Sequence, residues 1–494
     1  MSESEPSRLV DERRAKVARL RARGVEPYPW GFPGRVPIVE VLELCKTLKP
    51  GERKEHASLK VAGRVRAIRS HGKSSFVDLV DRSGDLQLYL RTDELGEGAY
   101  RQWLADLDPG DLLGASGVPL VTRRGEPSLL VSEVTLLAKA LQPPPEKYHG
   151  LKDMEERLRR RHVELLASGE TRRRFTARSL LTRELRRFLD DREFLEVETP
   201  TLVQTASGAT AAPFITRSSY LDAELKLRIS LELPLKRLLV GGLERVYEVG
   251  RVFRNEDMDT THSPEFTMLE LYWAYADYHD MRHLVEELYE RLARRCVEIF
   301  PDDPAAREAE TLFHPPFAQV DYVGALEDRS GIPGMLSKSR EELDRLARSV
   351  GSTVPEGSPA GAFLDKLFDH YVAPTLTRPT FVMDHPAITT PLAKRHRERT
   401  DRVERFELFY RGFELANAYT ELNDPDEQAA RFREQISSRP EAHYAFDEEF
   451  VEAIAFGMPP ASGLGIGVDR MVMALTGISS IKEVILFPMT RRRT

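Results

Sequence analysis

Cysteine is nearly absent from this chain. Two thiols, Cys45 and Cys296, stand far apart in 494 residues. They are too few and too separated for a disulfide framework or a zinc site. A reducing cytoplasm is the expected compartment. Long apolar runs are missing too, and none approaches the roughly 18–20 residues that span a bilayer. No membrane association is therefore expected. The opening stretch MSESEPSRLVDERRAKVARL is charged and lacks the apolar core of a signal peptide. There is no internal repeat and no low-complexity tract. A charge excess of one sign is also lacking: 72 basic residues meet 79 acidic ones, for a net charge of −7. That sum alone argues weakly against nucleic acid, but the distribution matters more. Between Arg157 and Arg187 eleven Arg face three Glu. This is either a nucleic-acid contact or a solvated helix face.

The chain is long enough for two or three domains. Its 41% hydrophobic content allows a sizeable core, and its 31% charged content implies a well-solvated surface. Residues 8–24 read as a short helix with Leu9, Val10, Val17 and Leu20 on a thin apolar side. Pro27, Pro29 and Pro33 stop it. From Leu59 the pattern alternates as strands do, in LKVAGRVRAI, SSFVDLVD and LQLYL, with turn signals between them. A later strand pair surrounds Arg123, Arg124 and Gly125. Several short strands in so short a span predict a small β-barrel. Pro143, Pro144 and Pro145 mark a boundary, after which the chain turns helical and Arg-rich. From Phe194 strands and helices mix, and residues 300–360 are helical material without a site signal.

Three segments carry the chemistry. The first is FLEVETPTL, which reaches a strand at Pro200. The second is VYEVGRVFRNEDMDTTHSPEFTMLELY. The third is GLGIGVDRMVM, from Gly463 to Met473. Singly each is modest. The glycines of the third lack the G-x-G-x-x-G spacing of a dinucleotide site, and an Arg-x-Glu in a strand is usually a surface ion pair. In this order they resemble the three motifs of the class II aminoacyl-tRNA synthetases. The wording of RNEDMDTTHSPEFTMLELYWAYADY, ELANAYTELNDPDEQ and GMPPASGLGIGVDRMVM is similar to the lysyl-tRNA synthetases in particular. The likeness runs from about Val61 to Pro488.

The resemblance implies an α+β protein. An N-terminal OB-fold barrel would bind the anticodon, and a class II catalytic domain would be an antiparallel sheet flanked by helices. The corresponding boundaries are a helical extension over 1–55, the OB domain over 56–142, a linker over 143–160 and the catalytic domain over 161–494. The implied activity joins L-lysine to lysine tRNA through a lysyl-adenylate made from ATP. Amino-acid activation is in-line attack of a carboxylate on the α-phosphorus of ATP, so the protein has to position and neutralise charge. Arg254 is similar to the family's α-phosphate clamp, a role that suits the planar fork of a guanidinium. Phe266 resembles the ring under adenine, with Arg470 beside the nucleotide. Glu256 and His262 flank the intervening loop as further catalytic candidates.

Glu407 and Glu414 resemble the family's pair of magnesium ligands, and Mg2+ is the implied cofactor. For the lysine pocket the resemblance implies Glu232 and Glu421 as acids, and Tyr272, Asn417 and Tyr419 as wall. Gly208 and Glu270 would lie near the α-amine. On the barrel it implies Phe76, Gln87 and Glu126 as anticodon readers, with Arg64 as a backbone or base contact. The segment ending at Pro200 resembles the family's dimer motif, so a homodimer is expected. The sequence departs from the family's usual text at Ala212, where a basic residue is usual, at Pro234, where a tyrosine is usual, and at Thr261. These changes bear on pocket shape. A related reading is a ligase that lysylates a protein acceptor such as elongation factor P; the intact barrel speaks against it. A non-catalytic RNA-binding paralogue should have lost Arg254, Glu407, Glu414 or Arg470, and all four are present.

Overall fold

The structure is a computed structural model. It describes residues 5–144, 153–209, 211–354, 358–390, 392–438 and 446–490. Pro145 and residues up to 152 of the expected linker lie outside the described residues. The chain divides into two compact units, one formed by Met1–Lys152 with His162–Ala167, the other by Asp153–Arg161 with Ser168–Thr494. Each is taken by itself.

In the first unit five strands close a barrel in the order β1-β2-β3-β5-β4. They are β1 (Leu59–His71), β2 (Ser74–Val80), β3 (Asp85–Arg91), β4 (Leu112–Val121) and β5 (Pro127–Ala138). Closure removes the free edges that a small sheet would otherwise expose. Alternation does the sorting: Val77, Leu79, Leu86, Leu88 and Leu90 are buried in the barrel core, and Phe76, Asp78, Gln87 and Tyr89 between them point the other way. The N-terminal helix, Glu5–Ala22, is fastened to the barrel by its charges. Arg13 donates to the carbonyls of Ala140 and Pro109, Lys16 pairs with Asp108 at 2.7 Å, and Leu20 is fully buried.

The second unit is built on an eight-stranded sheet. Its strands in chain order are β6 (Leu195–Glu196), then β10 (Arg245–Phe253), β11 (Glu265–Ala274), β12 (Ala318–Asp321), β13 (Thr380–Met383), β14 (Arg405–Tyr410), β15 (Phe413–Thr420) and β16 (Ala461–Gly467). A separate three-stranded sheet holds β7 (Leu202–Val203), β8 (Ile215–Ser218) and β9 (Ala223–Leu227). The large sheet runs β12-β13-β14-β15-β16-β11-β10-β6. Every pairing from β13 to β10 is antiparallel, and only the edge strands β12 and β6 join in parallel.

One face of this sheet is core. Leu269, Leu271, Ala416, Ala418, Leu464 and Ile466 are buried there with helices Gly169–Asp190, Tyr278–Ile299 and Val468–Thr476. A Leu or Ile buried this way contributes about 1.5–3 kcal/mol. Caps fix where two of these helices begin. The Ser168 side chain accepts from the Thr171 N–H, and Asp277 and Asp280 form a capping box. Several arginines of the basic stretch are spent inside this unit. Arg161 is buried and donates to the carbonyls of Lys482 and Leu486, and Arg178 is paired with Asp469. That part of the stretch is structural scaffolding.

Candidate active site

The opposite face of the sheet opens into a cavity of about 420 Å³. Its floor exists because β16 carries no side chain on that face from Gly463 to Gly467. In Gly463-Leu464-Gly465-Ile466-Gly467 the alternation sends Leu464 and Ile466 to the core and leaves three glycines toward the site. The register then fixes the neighbours. Gly463 lies between Tyr272 on β11 and Tyr419 on β15; Gly465 lies between Glu270 and Asn417. One strand further, Arg405 faces Tyr419 and Glu407 faces Asn417. Gly463 cannot be replaced without rearrangement, because an added Cβ would stand 2.2 Å from the Glu421 carboxylate and 2.4 Å from the Tyr272 ring. Gly208 enters the lining with φ +88 and would bring a Cβ to 3.0 Å from Ser230 Oγ.

At one end, Arg254 follows β10 and lies 5.2 Å from the Phe266 ring centroid, on one face of that ring. Its Nε donates to the Ile229 carbonyl at 3.3 Å. Burial lowers its pKa, and Glu256, Glu414 and Glu270 act in the other direction. Arg470 lies in the first turn of the helix Val468–Thr476, which follows the glycines. It donates to the Glu414 carbonyl at 3.2 Å, lies 3.1 Å from His262 Nε2, and its charge is 3.8 Å from the Glu414 carboxylate. His262 is held on its other nitrogen by Asp259 at 2.8 Å. Two guanidiniums and an aromatic face thus line a chamber that suits a nucleoside polyphosphate.

Glu407 and Glu414 come from opposite arms of the β14–β15 hairpin. With the turn at Arg411 and Gly412, Glu414 pairs with Phe409, whose face Glu407 shares two residues along, so the hairpin itself brings both to one side. The register shifts between Leu408 and Phe409, so that Leu408 faces Ala416 and Phe409 faces Glu414. Leu415 is the extra residue, and both Glu414 and Leu415 line the cavity. Burial raises the Glu407 pKa, Arg405 opposes the rise, and the charge of Glu414 adds to it. Arg405 is paired with Glu407 and donates to Asn417 Oδ1 at 3.0 Å. The buried His385 has no hydrogen-bond partner at Nε2, which lies 3.9 Å from Glu407. Both carboxylates line the cavity, and acidic groups that share a lining favour a bound hard cation. Among the described residues no group of three or more His, Cys, Asp or Glu side chains could hold a metal. Two carboxylates that leave room for water and phosphate oxygens fit magnesium.

The far end of the cavity is acidic. Glu270 is buried and its pKa is pushed up to about 7, by burial first and then by the charge of Glu232. It accepts hydrogen bonds from the Leu231 N–H, Ser230 Oγ and the Tyr272 hydroxyl. Glu232 opens the helix Glu232–Val240 and accepts from the Tyr419 hydroxyl at 2.7 Å. Pro234 sits in that helix's first turn, where a backbone N–H has no helical partner to lose, so the departure leaves the helix intact. At Ala212 the backbone carbonyl accepts from the Asn255 N–H at 2.8 Å.

The cavity therefore brings together Arg254, Glu256, His262, Phe266 and Arg470, the pair Glu407 and Glu414, and Gly208, Glu232, Glu270, Tyr272, Asn417 and Tyr419. Glu421 is the exception. It is fully buried beside Gly463 and Tyr272 and paired with Lys236, whose Nζ also lies 2.6 Å from Glu232. Lys236 and Arg405 are the residues missed from sequence. The signal for Lys236 was its position four residues after Glu232, one helical turn along the same face. Arg405 stands two residues before Glu407, on the same side of a strand.

On the barrel, Phe76 stacks against Tyr89 with centroids 4.8 Å apart, and Gln87 accepts from Ser128 Oγ at 3.1 Å. Phe76 faces Tyr89 and Asp78 faces Gln87 across β2 and β3, so these side chains share the outer face. Glu126 is exposed in the β4–β5 turn. One nitrogen of the Arg64 guanidinium donates to the Gly110 carbonyl of the barrel's own loop at 2.6 Å. Tyr89 was missed, although it stands two residues after Gln87 on the same alternating face.

Comparison with known proteins agrees with this geometry. Residues 153–491 match the family described as "tRNA synthetases class II (D, K and N)", and residues 59–137 match "OB-fold nucleic acid binding domain". The chain is 47% identical to a lysine--tRNA ligase of Deinococcus radiodurans, over 98% of this chain and 95% of that one. It is 46% identical to the Moorella thermoacetica protein of that name, covering 98% of both, and 44% identical to the one from Carboxydothermus hydrogenoformans, covering all of both. An OB barrel, a class II sheet with its glycine floor, and full-length identity at this level lead to one conclusion: the chain belongs to the lysyl-tRNA synthetase branch of the class II family.

Proposed function

We propose that this chain activates L-lysine with ATP to lysyl-adenylate and pyrophosphate, then transfers lysine to the 3′ end of lysine tRNA. The observation that carries the reading is the single cavity lined at one end by Arg254, Phe266 and Arg470 and at the other by Glu232, Glu270 and Tyr272. A phosphate clamp and an acidic amine pocket on one glycine floor suit a carboxylate aimed at a phosphate. Arg254 binds the α-phosphate and takes up charge as it develops there. The adenine lies on the Phe266 face that Arg254 leaves free. Arg470, held by the Glu414 carbonyl and His262, contacts the polyphosphate. Glu256 and His262 line the mouth. Glu270 and the Gly208 backbone receive the α-amine, and Glu232 with Tyr272 and Tyr419 receive the side-chain ammonium. Glu407 and Glu414 are assigned to Mg2+, which when bound neutralises phosphate charge. Pyrophosphate exchange with each amino acid tests the first step, and sequencing of tRNA charged from a bulk pool tests the second. Exchange with an amino acid other than lysine would refute the pocket.

The metal assignment has its own expected result. Glu407→Gln should raise the magnesium concentration needed for half-maximal exchange by tenfold or more, on the order of a lost ligand contact, and should lower the melting temperature, since Arg405 loses its paired carboxylate. A magnesium requirement equal to that of the wild type would remove Glu407 from the site.

The barrel is assigned to the anticodon, with Phe76, Gln87 and Glu126 as readers, supported by the outward Phe76–Tyr89 pair. Phe76→Ala removes a stacking platform and should cost roughly 1–3 kcal/mol of RNA affinity. Charging of lysine tRNA should fall while exchange without tRNA stays unchanged. Charging of an anticodon-swapped tRNA by both proteins is the check. Equal discrimination would mean that the barrel does not read the anticodon, and would favour a protein acceptor instead. A homodimer is proposed for the class II unit, supported by the exposed apolar residues Leu195 and Leu202 around the first motif; a one-chain mass in solution would refute it. The cytoplasm is proposed as the compartment, supported by two buried free thiols and by the absence, among the described residues, of any helix long and apolar enough to cross a membrane. A reporter fusion located outside the cytoplasm would refute it. The domain boundaries are placed at 55, 142 and 160, and limited proteolysis that left residues 143–160 intact while cutting inside the barrel would contradict them.

A further inference from the structure

Lys236 stands apart from the groups assigned so far. Its side chain has no exposed surface, yet it is a cation. Its Nζ lies 2.6 Å from Glu232 and is paired also with Glu421, which is itself fully buried. The rings of Tyr419, Tyr272 and Phe450 surround it at 5.5, 5.9 and 5.9 Å. Burial works against its charge, but Glu232 and Glu421 outweigh burial and hold the ammonium above its usual range. A surface lysine gains little from an ion pair, whereas burying an unpaired carboxylate costs several kcal/mol per ion. An ammonium held in the wall of a pocket for an ammonium is therefore a charge-setting feature.

The count is simple. Glu232 and Glu421, the carboxylates that Lys236 bridges, bring two negative charges and Lys236 one positive charge; Glu270, held by the Leu231 N–H, Ser230 and Tyr272, stands outside the bridge and is assigned to the α-amine. One carboxylate is left for the incoming side chain. We propose that Lys236 is a specificity-determining positioning residue: its ammonium bridges Glu232 and Glu421 and sets the far end to receive one cationic group. A neutral side chain of the same length would leave that carboxylate buried without a partner. The bridge also fixes the Glu232 carboxylate, whose other partner is the Tyr419 hydroxyl. The groups facing Lys236 are Glu232 on its own helix, Glu421 after β15, Tyr419 on β15, Tyr272 on β11 and Phe450 of the helix Glu448–Ala455, with Glu270 next to Tyr272.

The proposal rests on the lysine-pocket reading of the same cavity. Lysine-dependent exchange by the wild type tests that reading, and variants of a lysine-active enzyme test this one. Lys236→Met keeps the length of the side chain and removes its charge. Two carboxylates are then left without a counter-ion; both take up protons in the free variant, and the substrate ammonium has to displace one of them. The lysine KM should rise by about tenfold or more, as expected for a buried charge that has lost its partner. The kcat and the ATP KM should stay within about twofold, since the phosphate chamber is untouched. Calorimetry of lysine binding in two buffers of different ionisation enthalpy should find about one more proton released than in the wild type. A merely structural lysine would not change that count. An unchanged lysine KM, or an unchanged proton count in the folded variant, overturns the proposal. If Lys236→Met does not fold, Lys236→Met with Glu421→Gln removes one charge of each sign. A folded double variant with the wild-type proton count supports a charge-balancing role. An unfolded double variant, or an altered count, overturns it.

Discussion

Arg254→Ala is expected to abolish lysine-dependent pyrophosphate exchange in a chain that still folds. The guanidinium lies over the Phe266 ring and has one described hydrogen bond, from Nε to the Ile229 carbonyl. Its terminal nitrogens are therefore open to the cavity, which explains how alanine can be tolerated by the fold. Their work is done in the reaction. The attacking carboxylate adds negative charge at the α-phosphorus, and a donor fixed before the reaction stabilises that charge without reorganising. Loss of one such donor elsewhere costs about 10²–10³ in kcat, or roughly 3–4 kcal/mol. The measurement is exchange at saturating lysine and ATP, with circular dichroism to confirm the fold. Near-normal exchange from a folded Arg254→Ala protein would remove this residue from the centre of the mechanism.

Glu232→Gln should produce the second large effect, confined to the amino acid. Glutamine keeps an acceptor for the Tyr419 hydroxyl and removes the charge facing Lys236 and the substrate. A buried ammonium without its carboxylate costs on the order of 3–5 kcal/mol. The lysine KM should rise by roughly 10²-fold or more, with the ATP KM nearly unchanged. Because Lys236 loses a partner in the same step, this effect and that of Lys236→Met will not add. Steady-state exchange with lysine and ATP varied in turn decides the matter. A rise in the ATP KM with lysine unaffected would mean that the pocket has been placed at the wrong end of the cavity.

The barrel was legible because its strands are half-buried. Val77 and Leu79 alternate with Phe76 and Asp78, so period two announces both the strand and its outer face. The same alternation in GLGIG passed unnoticed. As text it is a glycine repeat; as a strand it is two core residues and a bare face. The pair Glu407 and Glu414 could be found from the motif, and across a two-residue turn their spacing also places them on one face. What spacing does not show is that Glu414 shares this face with Asn417, three residues on: the bulge at Leu415 brings that about, and a bulge depends on how two strands settle against their neighbours. The Arg-rich stretch was open to two readings, and three-dimensional pairing spends Arg161 and Arg178 inside the class II unit.

The sequence by itself determined the two units, the periodicity of their elements and the set of side chains that the chemistry needs, because those follow from local pattern and from motif text. Only the tertiary structure decided which groups are available. One nitrogen of Arg64 is turned onto Gly110, Arg405 is paired with Glu407, and Glu421 is fully buried and held by Lys236. A residue's type fixes the charge or hydrogen bond it can offer. Whether that offer reaches a substrate or is consumed within the fold depends on its nearest partner in space, and Glu421 and Lys236 are 185 residues apart in a chain that brings them into contact.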